Sequence, residues 1–305
     1  MIIITGQTAT GKTNLALNLA KQYHGEVINC DSRQIYKKLD LITGKDIDKK
    51  KDQFFLWKKV QDFDIGYYLK EGIRLWLYDI VYPNQYFSSF NFVLLVRDVI
   101  GEIKKQKKIP ILVGGSYFYL KHLLYGFDYL VPPDFSLREK LDKLSVPVLQ
   151  DILKKENIDF FNNLNESDRK NKRRLIRKIE IAQYLSKYKV NVQKKETVTS
   201  FFPIKEFIGL SFASKDLLRK RIEARVRKRL AEGALEEVIS LLKEGYKKDD
   251  YGLRTIGYQQ LIPVIFKEKD LSEAISEWIA SEVSYAKRQY KFMKKDKNIK
   301  WRLIT

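Results

Sequence analysis

Cysteine occurs once in the 305-residue chain, at Cys30, and histidine only at His24 and His122. A single cysteine excludes an intramolecular disulfide framework. With two histidines besides, the chain is short of the four ligands of a Cys/His zinc site. No apolar run reaches the roughly 18 residues needed to span a bilayer. The start, Met1 to Thr5, has no basic stretch, and its apolar run is too short for a secretory signal. Internal repeats and low-complexity linkers are missing too. These absences lead us to expect a cytoplasmic protein with no membrane partner, and we expect a monomer. Its only metal would be Mg²⁺ carried in with a phosphate.

What is present is a core and a surplus of positive charge. Hydrophobic residues make up 44% of the chain and aromatics 13%, which argues against whole-chain disorder. At about 150 residues per domain, the length predicts roughly two domains. Lys and Arg number 58 against 38 Asp and Glu, a net of 58 − 38 = +20. Residues 1–150 hold 22 basic and 16 acidic side chains, a net of +6; residues 151–305 hold 36 and 22, a net of +14. Such an excess predicts attraction to a polyanion such as nucleic acid. A compositional bias is the alternative, since the chain is rich in Lys, Ile, Asn and Tyr.

Ile2-Ile3-Ile4 predicts a buried strand ending at Thr5-Gly6, and Asn14 to Tyr23 places Leu15, Leu19 and Ala20 at helical spacing. Further strands are expected at Glu26 to Cys30, Leu75 to Val81 and Ile109 to Val113, with a helix from Phe90 to Lys105. Strands alternating with helices predict a parallel α/β sheet. After Gly126 the texture changes. Pro132-Pro133 punctuates the chain, and from there to about Lys195 it reads as helical and very basic. A strand from Glu206 to Phe212 precedes a long helix striped by Leu218, Ile222, Val226 and Leu230, and then Val238 and Leu242. A helix from Leu271 to Lys295 and a short strand from Trp301 to Ile304 close the chain. The expected fold is an α/β core, residues 1–126 and 201–305, interrupted by a helical insertion at 127–200.

Gly6-Gln7-Thr8-Ala9-Thr10-Gly11-Lys12-Thr13 matches G-x-x-x-x-G-K-[ST], with the predicted strand before it and the helix after it. Glycines let backbone N–H groups close around phosphate oxygens, Lys12 adds a point charge, and the helix N-terminus adds its dipole. Thr13 is placed to reach Mg²⁺. A cradle of this kind binds nucleotides, ATP included, and does not name the reaction. Hydrolysis needs an acidic Mg²⁺ ligand and a device to position water, yet Ile109 to Val113 ends in Gly114-Gly115. Asp79 reads as a Walker-B-like acid or as a strand-end cap. Asp31 follows the second strand, so in a parallel sheet it emerges on the edge of the cradle. There it can accept a proton from a nucleophile. Alternatively Asp31 or Ser32 caps a following helix.

Arg221, Arg225 and Arg229 stand at i, i+4 and i+8 beside Ile222, Val226 and Leu230. Like charges at this spacing repel by roughly 0.2–0.5 kcal/mol per pair. Arg221 and Arg225 have no acid three or four residues away, so an external anion such as pyrophosphate is expected to compensate them. A solvated basic face is the alternative. Lys170, Lys172, Arg173, Arg174, Arg177 and Lys178 form a second cluster interleaved with Leu175, Ile176 and Ile179. It reads as a contact to a phosphate backbone or as another solvated face.

Taken in order, the phosphate cradle, Asp31-Ser32-Arg33-Gln34-Ile35-Tyr36, Val113-Gly114-Gly115-Ser116-Tyr117-Phe118-Tyr119, Arg174-Leu175-Ile176-Arg177-Lys178-Ile179-Glu180, Ile256-Gly257-Tyr258 and Lys287-Arg288-Gln289 resemble the motifs of tRNA dimethylallyltransferases. The resemblance implies a P-loop, kinase-like core with a helical insertion. It implies that the cradle holds the diphosphate of dimethylallyl diphosphate, with Mg²⁺. The prenyl group would go to N6 of the adenosine just 3′ of the anticodon. Asp31 then matches the general base, and Thr8 the threonine near the allylic oxygen. Lys12, Thr13, Arg221 and Arg225 match the diphosphate and Mg²⁺ binders. Asp31, Ser32, Arg33, Gln34, Ser116, Arg138, Arg173, Arg174, Arg177, Arg254, Gly257, Tyr258 and Gln259 match segments that hold the anticodon stem-loop, and we group Lys287, Arg288 and Gln289 with them.

The chain also departs from the family pattern. Ile42-Thr43-Gly44-Lys45 stands for the usual Gly-Thr-Ala-Lys. Leu75-Trp76-Leu77 stands for His-His-Leu, Phe292 for a Trp, and Ser116 for a Thr. Two other activities remain open on the residues alone: prenylation of free adenine nucleotides, and an ATP-dependent nucleoside kinase or RNA-binding NTPase. The basic clusters favour tRNA over a mononucleotide, and the missing acid after Val113 disfavours the NTPase.

Overall fold

The computed structural model describes residues 1–60, 62–127, 129, 131–188 and 202–305. Two compact units emerge: residues 1–124 with 197–305, and residues 125–196.

The first unit is built on an eight-stranded sheet. In chain order its strands are β1 (Ile2–Gly6), β2 (Gly25–Asn29), β3 (Gln53–Val60), β4 (Phe63–Lys70), β5 (Ile73–Trp76), β6 (Ile109–Val113), β7 (Glu206–Phe212) and β8 (Lys300–Ile304). The spatial order is β3-β4-β5-β2-β6-β1-β7-β8. From β5 to β8 all pairings are parallel. The parallel expectation holds there and fails at one edge, where β3 and β4 form an antiparallel hairpin continued onto β5. β1 lies in the middle, so Ile2, Ile3 and Ile4 are fully buried on both faces. That burial is why they read as an unbroken apolar run rather than an alternation.

Helices α1 (Lys12–Tyr23), α2 (Ser89–Lys105) and α3 (Tyr117–Tyr125) follow β1, the hairpin region and β6. The strand expected from Leu75 to Val81 stops at Trp76. Leu77 and Asp79 adopt left-handed backbone, φ 64° and 53°, which no strand accommodates. The second unit contains α4 (Phe135–Asp142), α5 (Val146–Glu156), α6 (Ile158–Asn162), α7 (Glu166–Arg169) and α8 (Lys172–Tyr188). Its core joins Leu141, Leu149, Leu153, Leu164, Leu175, Ile176 and Ile179. The chain then returns to the first unit through β7 and four helices: α9 (Lys215–Ala231), α10 (Ala234–Lys243), α11 (Tyr258–Ile265) and α12 (Leu271–Met293). The stripe expected to run on through Val238 breaks at Gly233, whose φ of 101° separates α9 from α10. Among the described residues no helix is long and apolar enough to cross a membrane.

Candidate functional site

The cradle forms where β1 ends and α1 begins. Gly6 has φ 135°, and a Cβ there would press into the Leu210 backbone on β7; Gly11, at φ 76°, starts the helix. The loop between them is tied down from several sides. Thr10 Oγ1 donates to the Gln7 carbonyl at 2.7 Å, and Phe212 N–H donates to Gln7 Oε1 at 2.9 Å. Gln7 Nε2 donates to the Ala286 carbonyl at 3.4 Å, and Thr8 N–H to Gln289 Oε1 at 3.1 Å. Gln289 Nε2 in turn donates to the Gly115 carbonyl, 2.9 Å. Ala286 and Gln289 thus make α12 the back wall of the loop. Lys12 Nζ lies over the loop and donates to the Gln7 carbonyl at 2.6 Å. Burial pushes its ammonium down to about 8, against the upward pull of Asp31; Arg225 pushes it further down and Asp46 pulls it back. Thr13, half-buried, opens the first turn of α1.

Asp31 stands just beyond β2, where the cradle stands just beyond β1. The sheet order β2-β6-β1 makes these two strand ends and the end of β6 consecutive. The junctions are tight. Cys30 N–H donates to the Val113 carbonyl at 2.7 Å, and Ser32 N–H to Ser116 Oγ at 2.8 Å. Asp31 N–H donates to Asn29 Oδ1 at 3.0 Å, and Asp31 Oδ1 accepts from Arg33 N–H at 2.8 Å. The residues after it form turns, so the helix that Asp31 or Ser32 was expected to cap does not exist. Arg33 and Gln34 bond backbone carbonyls at Tyr251 and Gly44.

The arginine ladder needs one correction. Arg225 is not left to an external anion alone, because it reaches Glu282, a buried acid on α12 that it shares with Arg229. Glu282 Oε1 accepts from Arg229 Nη1 at 3.2 Å and from Trp278 Nε1 at 3.1 Å. Burial raises the Glu282 carboxyl, but Arg225 and Arg229 outweigh it and hold the group below its ordinary range. Arg225 Nη1 donates to Thr8 Oγ1 at 2.7 Å, which sets this guanidinium on the cradle; its Nε is buried without a partner. Arg221 is exposed and has no acidic partner among the described residues. Sequence reasoning missed Glu282 because it lies 57 residues from Arg225, outside any helical spacing rule.

Other expected positions take different places. Asp79 is no metal-ligating acid: it pairs with the buried Lys45 and accepts from Tyr68 Oη at 2.6 Å. Four residues expected to touch RNA are buried: Gln289, Gly257, Tyr258 and Ser116. Gln289 is spent on the cradle, and Gly257 is packed against Ile42 and Trp278. Tyr258 is fully enclosed, donating to Glu237 Oε1 at 2.6 Å, because the apolar face of α11 turns inward with Leu261 and Ile262. Gln259 bonds the Lys248 and Leu253 carbonyls, and Ser116 is buried against Ser32. Arg254, Lys287 and Arg288 are exposed. Arg138, Arg173, Arg174 and Arg177 lie in the second unit. There Arg138 and Arg177 clasp the buried Glu180, Arg174 pairs with Asp168, and Arg173 is exposed.

A P-loop edge with a carboxylate beside it is a general device, and comparison with known proteins narrows it. The family model described as IPP transferase matches residues 34–296. A tRNA dimethylallyltransferase of Thermoanaerobacter sp. (strain X514) is 32% identical over 312 residues, covering 99% of this chain and 90% of that protein. One from Aquifex aeolicus is 33% identical over 300 residues, covering 97% and 89%. The crystal structure of the tRNA isopentenylpyrophosphate transferase from Bacillus halodurans is similar with a TM-score of 0.66, 28% identity and coverage of 99% of this chain and 89% of that one.

Proposed function

The chain belongs to the IPP transferase family, and on that premise we propose that it transfers a dimethylallyl group from dimethylallyl diphosphate to N6 of the adenosine just 3′ of the anticodon in tRNA. One observation carries the reading. A carboxylate, Asp31, and a cationic cradle, Lys12 with Arg225, share one sheet edge, at the ends of β2 and β1 on either side of β6, near enough that Asp31 pulls against the lowering of the Lys12 ammonium by burial.

Prenyl transfer needs opposite charges on the two sides of one carbon. The exocyclic amine is a poor nucleophile because its lone pair is delocalised into the ring. As its nitrogen bonds to carbon it becomes acidic and must lose a proton, and Asp31 accepts it. The diphosphate leaves with growing negative charge, which Lys12 and Arg225 stabilise. Thr8, bonded to Arg225, would stand beside the oxygen that departs. The buried, unpartnered Nε of Arg225 fits an anion, since such a donor is costly until an oxygen accepts from it. Arg221, exposed on the same helix, serves the outer phosphate oxygens.

Mg²⁺ fits this donor set as a companion of the diphosphate. The described residues contain no cluster of three His, Cys, Asp or Glu that would cage a metal. Thr13 supplies a hard oxygen, and the diphosphate would supply the rest. When bound, the ion adds charge stabilisation to the leaving group. The carboxylate Asp31 beside the cradle, with Gly114-Gly115 rather than an acid after Val113 to serve hydrolysis, makes prenyl diphosphate, rather than ATP, the preferred ligand. The exposed Arg173, Arg254, Lys287 and Arg288 bind RNA.

The test is mass analysis of nucleosides from unmodified tRNA incubated with the protein, Mg²⁺ and dimethylallyl diphosphate. The expected result is dimethylallyl-adenosine in the anticodon loop. Unchanged nucleosides alongside ATP turnover would make the NTPase reading the better one.

A further inference from the structure

Glu282, Ala286 and Gln289 fall at i, i+4 and i+7 of α12, on the face that backs the cradle loop. Ala286 and Gln289 bond the loop directly. Glu282 reaches it through arginine, holding Arg225, which holds Thr8 Oγ1. A lone Glu282–Arg225 pair would serve an anion poorly. A diphosphate drawing Arg225 toward itself would strand a buried carboxylate, and an unpaired buried charge is costly. Arg229 removes that difficulty. Only 7% exposed, it shares Glu282 with Arg225, so two guanidinium groups face one carboxylate and a net positive charge remains. Trp278 Nε1 adds a third donor to the same carboxylate, on the oxygen that Arg229 reaches.

The departures from the family pattern pack around this cluster. The Arg229 guanidinium occupies the space where a Cβ on Gly44 would stand, and Gly44 stands for the usual Ala. Ile42 packs on Gly257, which lies against Trp278. The altered 42–45 segment and the buried ion cluster therefore form one packed arrangement.

We propose that Glu282 is a positioning residue for the anion-binding arginine: with Arg229 as its second counter-charge, it fixes the Arg225 guanidinium against Thr8 before the substrate arrives. This rests on the reading of the cradle as a diphosphate site. Preset donors need no reorganisation when charge develops on the leaving group.

The experiment is calorimetric titration with inorganic pyrophosphate and Mg²⁺, paired with prenyl-transfer kinetics, on wild type, Glu282→Gln, Arg225→Ala and their combination. Glu282→Gln should weaken pyrophosphate about tenfold, the scale of one charged hydrogen bond. It should lower kcat by roughly 10–100-fold with KM for tRNA unchanged, as a misplaced group does. On the Arg225→Ala background it should add less than about twofold, because a positioning residue acts only through what it positions. An Arg229→Met/Glu282→Met variant, which removes both buried charges together and keeps the fold, should show the same loss at a near-normal Tm. Full additivity with Arg225→Ala, or wild-type pyrophosphate affinity in the double Met variant, would overturn the proposal. Wild-type protein that binds no pyrophosphate would instead overturn the diphosphate reading beneath it.

Discussion

Lys12 shows how strongly burial tunes a single residue. Burial holds the Lys12 ammonium at about 8 instead of 10.5. The sign follows directly. Between about pH 8 and 10.5 the unfolded chain binds this proton and the folded one does not, so the Lys12 contribution to stability rises with pH there. Diphosphate binding runs the other way, because the anion needs the ammonium. We predict full affinity below pH 8 and a decline as pH rises through it. In Lys12→Arg, which stays protonated, titrations across the same range should lose that alkaline decline. For Asp31→Asn, shape is kept and the acceptor charge removed. The expected result is a kcat lower by roughly two or more orders of magnitude, with pyrophosphate affinity little changed; near-normal kcat would remove Asp31 as the base. The cradle residues were legible because their motif is local. The partners of Arg225 and Arg229 were not, since Glu282 is joined to them only by folding.

Among the elements, α8 separates two jobs that its basic sequence runs together. Arg177 and, from α4, Arg138 neutralise Glu180, whose carboxyl they hold below its ordinary 4.5 although burial raises it. The stability from this clasp is therefore present above about pH 4.5 and lost as pH falls below it. We predict that Glu180→Gln costs roughly 2–3 kcal/mol at neutral pH, less than a fully buried pair because both arginines reach solvent. Thermal melts should show that difference shrinking toward low pH. Arg173, exposed on the surface, belongs to the other job. Arg173→Ala should weaken tRNA binding and reduce its salt slope by about one without lowering Tm, whereas Arg177→Ala should lower Tm. Equal salt slopes in Arg173→Ala and wild type would return Arg173 to a solvated face. The β3-β4 hairpin escaped sequence reading for a related reason. Phe55 stacks on Tyr67 and Trp57 meets Trp76, while Phe54 tilts onto Tyr68. Neighbouring positions in β3 are thus aromatic on both faces, and the period-two alternation that marks a half-buried strand is erased.

For the whole molecule, the order of strands in space says more than their number. The parallel core and its helices were readable because each strand is a short apolar run closed by a turn. The pairing of those strands was not, because β1 takes both of its neighbours from far along the chain, β6 on one side and β7 on the other. The chain's first amine is tied to the same distant region, donating to the Pro203 carbonyl at 2.8 Å. This has a consequence in time. On the ribosome, the strand that carries the phosphate loop emerges well before β7 and must wait for it, some 200 residues later. At roughly 5–20 residues per second that is about 10–40 s. Until then Ile2, Ile3 and Ile4 have no finished sheet to enter, and the loop has no Leu210 backbone to close against. The phosphate loop is thus made long before it can become functional, and chains arrested before β7 should bind no diphosphate in a pull-down of stalled complexes.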